Sequence, residues 1–258
     1  MTPLDDKGDG VKTKSSWFSH RLGTDIHVTR WGTFGQPVLI FPTAGGDGEE
    51  IERFLMLQAL DDLIAGGRIK VYSCDSAGGQ ALIDSDSSDA YRAHMTNMFQ
   101  EFIYHELVPA IRLDCDSPDI EIIAAGASIG AFNSLAVVCR YPDVFRAAIC
   151  MSGTYKMERF YERQPPQEFY TSSPLHFVPH LRGEQLEKLR TRFILLPSGE
   201  GRAEAIGESY LVAHTLGSMG VPNRVASWGP EWHHDWPTWR EMLPQYLDEM
   251  TKDETEKQ

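Results

Sequence analysis

Apolar residues along the chain fall into two kinds of segment that alternate from end to end. Short unbroken runs such as Val38-Leu39-Ile40-Phe41 have the make-up of strands covered on both faces, and stretches with apolar residues three or four apart have that of helices lying on a sheet. Residues 16–28 alternate in the manner of a hairpin, with Gly23-Thr24-Asp25 as the turn. Pro42 stops the apolar run, a Gly-rich loop follows over residues 43–48, and residues 49–65 carry the 3.6-residue period of an amphipathic helix closed by Gly66-Gly67. Further strands are expected at residues 69–74, 120–125, 147–151, 193–197 and 225–228. Helices are expected at 90–113, 129–140, 209–219 and 236–250, with a polar loop from 75 to 89.

Strands separated by helices of this length predict a mostly parallel, doubly wound sheet with right-handed crossovers, preceded by an antiparallel N-terminal hairpin. One α/β domain is expected over residues 15–250, with residues 1–14 and 251–258 as disordered or frayed tails. The least regular segment, residues 154–190, holds Tyr155, Phe160, Tyr161, Phe169 and Tyr170 around Pro165-Pro166. It reads either as a surface excursion packing its own aromatics or as a cap over a pocket.

Charge narrows the partners. The chain of 258 residues carries 24 Lys and Arg against 37 Asp and Glu, a formal charge of −13 that repels a phosphate backbone, so nucleic acid is not expected as a partner. No apolar run approaches the roughly 20 residues needed to cross a bilayer, and no membrane partner is expected. The first 14 residues lack the apolar core of a signal peptide, and Cys74, Cys115, Cys139 and Cys150 show no close pairing, which together predict a soluble cytoplasmic protein with buried free thiols.

The strand expected at 120–125 runs into Gly126-Ala127-Ser128-Ile129-Gly130, and a helix-compatible stretch begins at once. This is a nucleophile elbow, G-x-S-x-G, in the strand-turn-helix context that the chemistry requires. The turn strains the serine into exposure, and small residues two positions either side let strand and helix approach. The same residues also resemble the Gly-rich turn that cradles a dinucleotide pyrophosphate. That turn normally follows the first strand of its domain, whereas several strands precede this one, and no Tyr-x-x-x-Lys pair follows.

A serine nucleophile needs a base, and the best placed of the nine histidines lie in Trp232-His233-His234-Asp235-Trp236, about 100 residues downstream in the order Ser, acid, His. The adjacent side chains of that triplet diverge and no further ligand spacing accompanies them, so a metal site is not expected. The acid should follow the penultimate strand, where Glu200 and Glu204 both qualify. Oxyanion donors are expected from the Ile129 N–H and from the loop Thr43-Ala44-Gly45-Gly46.

With these positions in order, the chain resembles the esterase family of α/β-hydrolases that includes esterase D-like enzymes, feruloyl esterases and the mycolyltransferase antigen proteins. The likeness runs from about Trp17 to Leu247. It is carried by Phe41-Pro42-Thr43-Ala44-Gly45-Gly46, the elbow around Ser128, Tyr141-Pro142-Asp143 before Ser152-Gly153, and His234-Asp235-Trp236 with Trp239. The resemblance implies Ser128 as nucleophile, His234 as base, Glu204 as acid with Glu200 as runner-up, and the Ala44 and Ile129 N–H groups as oxyanion donors. The chain departs from common members of the fold in lacking His-Gly before the oxyanion loop and in offering glutamate rather than aspartate. The implied activity is cofactor-free hydrolysis of a small soluble carboxylic ester through an acyl-enzyme. An acyltransferase with the same triad and a non-catalytic binding protein on the same scaffold are the alternatives.

Overall fold

The structure, a computed structural model, describes residues 11–252. The apolar run becomes β3 (Gln36–Phe41), which lies inside an eight-stranded sheet of order β1-β2-β4-β3-β5-β6-β7-β8. The others are β1 (Lys12–Ser19), β2 (Thr24–Trp31), β4 (Ile69–Cys74), β5 (Ile122–Ala127), β6 (Phe145–Met151), β7 (Phe193–Ser198) and β8 (Asn223–Ser227). Strands β1 and β2 pair antiparallel with each other, β2 pairs antiparallel with β4, and every pairing from β4 through β8 is parallel. This is the single α/β domain expected, with its antiparallel hairpin at one edge.

Continuous apolarity in β3 has a direct cause. Leu39 and Phe41 join one buried cluster while Val38 and Ile40 join another on the opposite face, so neither face meets water. Each large side chain buried this way contributes about 1.5–3 kcal/mol. Helices α1 (Glu50–Arg53), α2 (Met56–Ala59) and α3 (Asp61–Ala65) supply the second face together with α12 (Trp236–Thr251). On the first lie α4 (Ala77–Ile83), α5 (Asp89–Phe102), α6 (Val108–Asp114) and α7 (Ile129–Arg140). Helices α8 (Gln167–Ser172), α9 (Pro174–Phe177) and α10 (Gly183–Leu189) cross this same side, and α11 (Ile206–Ser218) links β7 to β8.

Several boundaries differ from the expectation, each for a physical reason. Strand β1 begins at Lys12, where Lys12 and Lys14 pair with Glu49 and Glu52 and the Thr13 hydroxyl accepts from Arg30. The rest of the expected tails, residues 1–10 and 253–258, lies outside the described residues, whereas Thr251 belongs to α12. The hairpin turn ends at Gly23, whose N–H donates to Ser19 O at 2.8 Å, and Thr24 and Asp25 already belong to β2. The single helix expected at 49–65 is three short ones. Leu55 takes a left-handed backbone, φ 63°, and stays 46% exposed, which turns Met56 and Leu60 into the core.

The loop expected at 75–89 contains α4, hidden by Gly78-Gly79. A Cβ at Gly79 would lie 2.1 Å from Ala44 O, so glycine serves contact with the loop after β3 rather than flexibility. The long helix at 90–113 is divided into α5 and α6 by a π turn, Ile103–Leu107, just before Pro109, which has no N–H to donate. Residues 154–190 pack their own aromatics, with Tyr155 and Phe169 fully buried, and are tied to α5 by Arg92 on Phe160 O (3.1 Å) and Gln100 on Ser172 O (2.9 Å). Of the four cysteines, all free, Cys115 is only partly buried. Among the described residues no helix is long and apolar enough to cross a membrane.

Candidate active site

Ser128 stands between β5 and α7 with φ 57° and ψ −119°, a backbone region that costs a non-glycine residue of order 1–3 kcal/mol. The glycines around it are explained by contact. A Cβ at Gly126 would fall 2.5 Å from Gly130 C and O, and one at Gly130 would fall 2.6 Å from Phe41 O and Pro42 O. Strand, helix and the loop after β3 therefore close on one another only without side chains at these positions. The Ser128 N–H donates to Met151 O at 3.1 Å, and Ser128 O accepts from the Thr154 N–H at 3.2 Å. These bonds fix the elbow against the end of β6.

Beyond β7 and β8, two loops are laced together. Glu200 N–H reaches Gly229 O (2.9 Å), Gly201 N–H reaches Trp232 O (2.9 Å), and His234 N–H returns to Arg202 O (3.1 Å). The lacing brings Glu204 to His234, with Oε2 3.6 Å from Nδ1, and leaves the Glu204 side chain 1% exposed. The Ser152 hydroxyl donates to Oε1 at 2.6 Å and the Ser198 hydroxyl reaches Oε2 at 3.2 Å. Burial acts to raise the Glu204 carboxyl, but the nearby His234 imidazole and the hydrogen bonds from Ser152 and Ser198 prevail and hold it below the ordinary carboxylate value.

The runner-up residues lie elsewhere. Glu200 is exposed and accepts from the Ser227 hydroxyl. His233 is exposed, and its Nδ1 accepts from the Arg202 N–H at 3.0 Å. Asp235 caps α12 by accepting from the Trp236 N–H at 2.7 Å. The three adjacent side chains of the triplet thus diverge, as the spacing implied.

Among the described residues, neither the Ala44 nor the Ile129 N–H donates a hydrogen bond. Ile129 opens α7, where first-turn N–H groups have no helical partner and the helix dipole favours negative charge. The loop bearing Ala44 is pinned by Glu50, a buried residue that sequence reasoning missed. Its carboxylate accepts from both the N–H and the hydroxyl of Thr43. Ser128 follows β5, whereas Glu204 and His234 follow β7 and β8, with β6 between them in the parallel sheet, and among the described residues the Ser128 hydroxyl donates no hydrogen bond. Such contacts often tighten only when substrate binds.

A family model described as Putative esterase matches residues 66–250. The chain belongs to that esterase family of the α/β-hydrolases, and by that membership it is an esterase. Among solved structures it is similar to a ferulic acid esterase, at 18% identity and TM-score 0.68 over 93% of this chain and 97% of the other. It is similar also to an S-formylglutathione hydrolase from Agrobacterium tumefaciens, at 10% identity and TM-score 0.70 over 96% and 98%. The enterobactin esterase FES from Shigella flexneri matches at 19% identity and TM-score 0.66, over 96% of this chain and 60% of that one. At these identities the likeness is one of fold. Comparison with the curated proteins finds no match.

Proposed function

We propose that this esterase is a serine carboxylic-ester hydrolase in which Ser128, His234 and Glu204 form the triad and the Ala44 and Ile129 N–H groups form the oxyanion hole. The observation that carries the reading is the pairing of a strained Ser128 at the strand-helix elbow with a buried Glu204 carboxylate facing His234 Nδ1. That carboxylate fixes the tautomer, with the proton on Nδ1 and Nε2 free to act as base.

Ser128 Oγ then attacks the ester carbonyl carbon while its proton passes to His234 Nε2. The carbonyl oxygen takes up the negative charge between the Ala44 and Ile129 N–H groups. Collapse breaks the bond to the alcohol oxygen, which leaves with the proton from His234. Water repeats the sequence on the acyl-enzyme and releases the acid. Residues 154–190 are tied to α5 through Phe160 O and Ser172 O, and the substrate in this reading is a small soluble ester with a short acyl part.

The test is direct. A serine-directed fluorophosphonate should label the wild-type protein and not Ser128→Ala, and the same substitution should abolish hydrolysis of a short-chain aryl ester with the fold intact. Undiminished turnover by Ser128→Ala would reject the reading.

A further inference from the structure

Five non-glycine residues among those described have positive φ, and three of them belong to or adjoin the proposed triad: Ser128 itself, Ser152 and Ala203. Ala203 immediately precedes the acid. Ser152 is the least expected of the three, because it neither follows the motif of the elbow nor belongs to the loops that bear acid and base. It directly follows β6 with φ 46°, is 3% exposed, and donates its N–H to Pro197 O at 2.8 Å. A backbone conformation of this kind is readily met by glycine, and glycine follows at the very next position. That a serine stands here instead points to its hydroxyl.

The hydroxyl has two partners whose chemistry fixes its direction. The Trp239 indole Nε1–H lies 3.0 Å from Ser152 Oγ and can only donate. The Glu204 carboxylate, with Oε1 at 2.6 Å, can only accept when ionised. The Ser152 proton therefore points at Glu204, and the chain runs one way, indole to hydroxyl to carboxylate. With Oε1 held on this side, Oε2 is the oxygen that faces His234. The Trp239 ring closes the arrangement from the other end, packed edge-on to the His234 imidazole at 5.2 Å between centroids.

We propose that Ser152, oriented by Trp239, is a positioning residue that locks the Glu204 carboxylate in the rotamer presenting Oε2 to His234. The inference rests on the triad assigned above and adds to it a hydroxyl that touches neither substrate nor the reacting serine. Its loss frees the carboxylate to rotate, so the imidazole loses its fixed tautomer while the substrate site is unchanged. The strain at Ser152 is then the counterpart of that at Ser128, tolerated for geometry.

Ser152→Gly tests the effect, because glycine adopts φ 46° without strain and the side chain lost is a single CH2OH whose hydroxyl makes both bonds. It should lower kcat for a short-chain aryl ester by about ten- to a hundredfold, the range for a lost hydrogen bond to a charged group, with KM within about twofold of wild type. Fluorophosphonate labelling should slow in proportion. The downfield proton resonance of the His234 Nδ1–H should move upfield, which a merely stabilising role would not cause. Trp239→Phe, which keeps the ring and loses the donor, should shift each readout the same way, and it carries the test if Ser152→Gly does not fold. Glu204→Gln is measured alongside. Wild-type kcat in Ser152→Gly beside an inactive Glu204→Gln overturns the positioning role and leaves the triad standing, as does a raised KM at unchanged kcat. Full activity in Glu204→Gln removes the triad reading itself, and the inference with it.

Discussion

The Glu50 carboxylate takes both hydrogen bonds that Thr43 can offer, one from its backbone N–H and one from its hydroxyl, each at 2.7 Å. Glu50 opens α1 and Thr43 precedes Ala44, so a helix on one face of the sheet fixes the loop that carries a proposed oxyanion donor. The loop is held from its far side as well, where the Ser76 N–H donates to Gly46 O at 3.1 Å and α4 lies against Ala44 O. An oxyanion donor works only if it is in place before charge develops.

Glu50→Ala should therefore reduce kcat by about tenfold or more, short of the hundred- to thousandfold attributed to losing a whole donor. It should also destabilise the protein by about 1–3 kcal/mol, because the Thr43 N–H is left without its partner. Steady-state hydrolysis of an aryl ester and a thermal melt measure the two separately. Unchanged kcat in a folded Glu50→Ala protein would show that the loop keeps its geometry without the carboxylate.

Adjacent histidines give a second, sharper expectation. His234 faces the buried Glu204, whereas exposed His233 accepts from the Arg202 backbone at 3.0 Å. His234→Ala should lower kcat/KM by about a hundredfold to ten-thousandfold, the usual worth of a positioned acid–base group. His233→Ala should stay within a few-fold of wild type, since it removes one exposed hydrogen bond. Parallel kinetics on the two variants decide the matter, and the reverse ranking would move the base to His233.

The sheet and the elbow were legible because their causes are local. A strand buried on both faces must be apolar throughout, as β3 is, and a strand cannot turn tightly into a helix unless residues such as Gly126 and Gly130 are small. What stayed hidden depends on partners far along the chain. The period through residues 49–65 continues across Leu55, so nothing local announces the left-handed break there. Gly78-Gly79 reads as loop until Ala44 O is placed against α4. Glu200 and Glu204 are the same residue type four positions apart, and only the lacing of their loop with residues 229–234 turns one to solvent and the other to His234. Glu50 and Ser152 belong to no motif of the elbow, and their roles lie in contacts with Thr43 and Glu204.

The Glu204 carboxyl supplies a pH dependence whose sign follows from its partners. Its folded value is held below 4.5 by His234, Ser152 and Ser198 despite the opposing effect of burial, whereas in the unfolded chain those partners are gone. The folded state then favours the ionised form, so this group's contribution to stability is complete above pH 4.5. It is lost as the pH falls from there through the lower folded value. Glu204→Gln cannot titrate. The melting temperature of the wild-type protein should accordingly fall more steeply than that of Glu204→Gln between about pH 5 and pH 3, with the two curves running parallel at pH 6 and above. Other carboxylates, including Asp47 and Glu49, are also held low by their basic partners and contribute acid lability to both proteins. The difference between the curves isolates Glu204. Melts taken every half unit from pH 7 to pH 3 are sufficient, and parallel curves over the whole range would mean that the carboxylate gains nothing from its partners on folding.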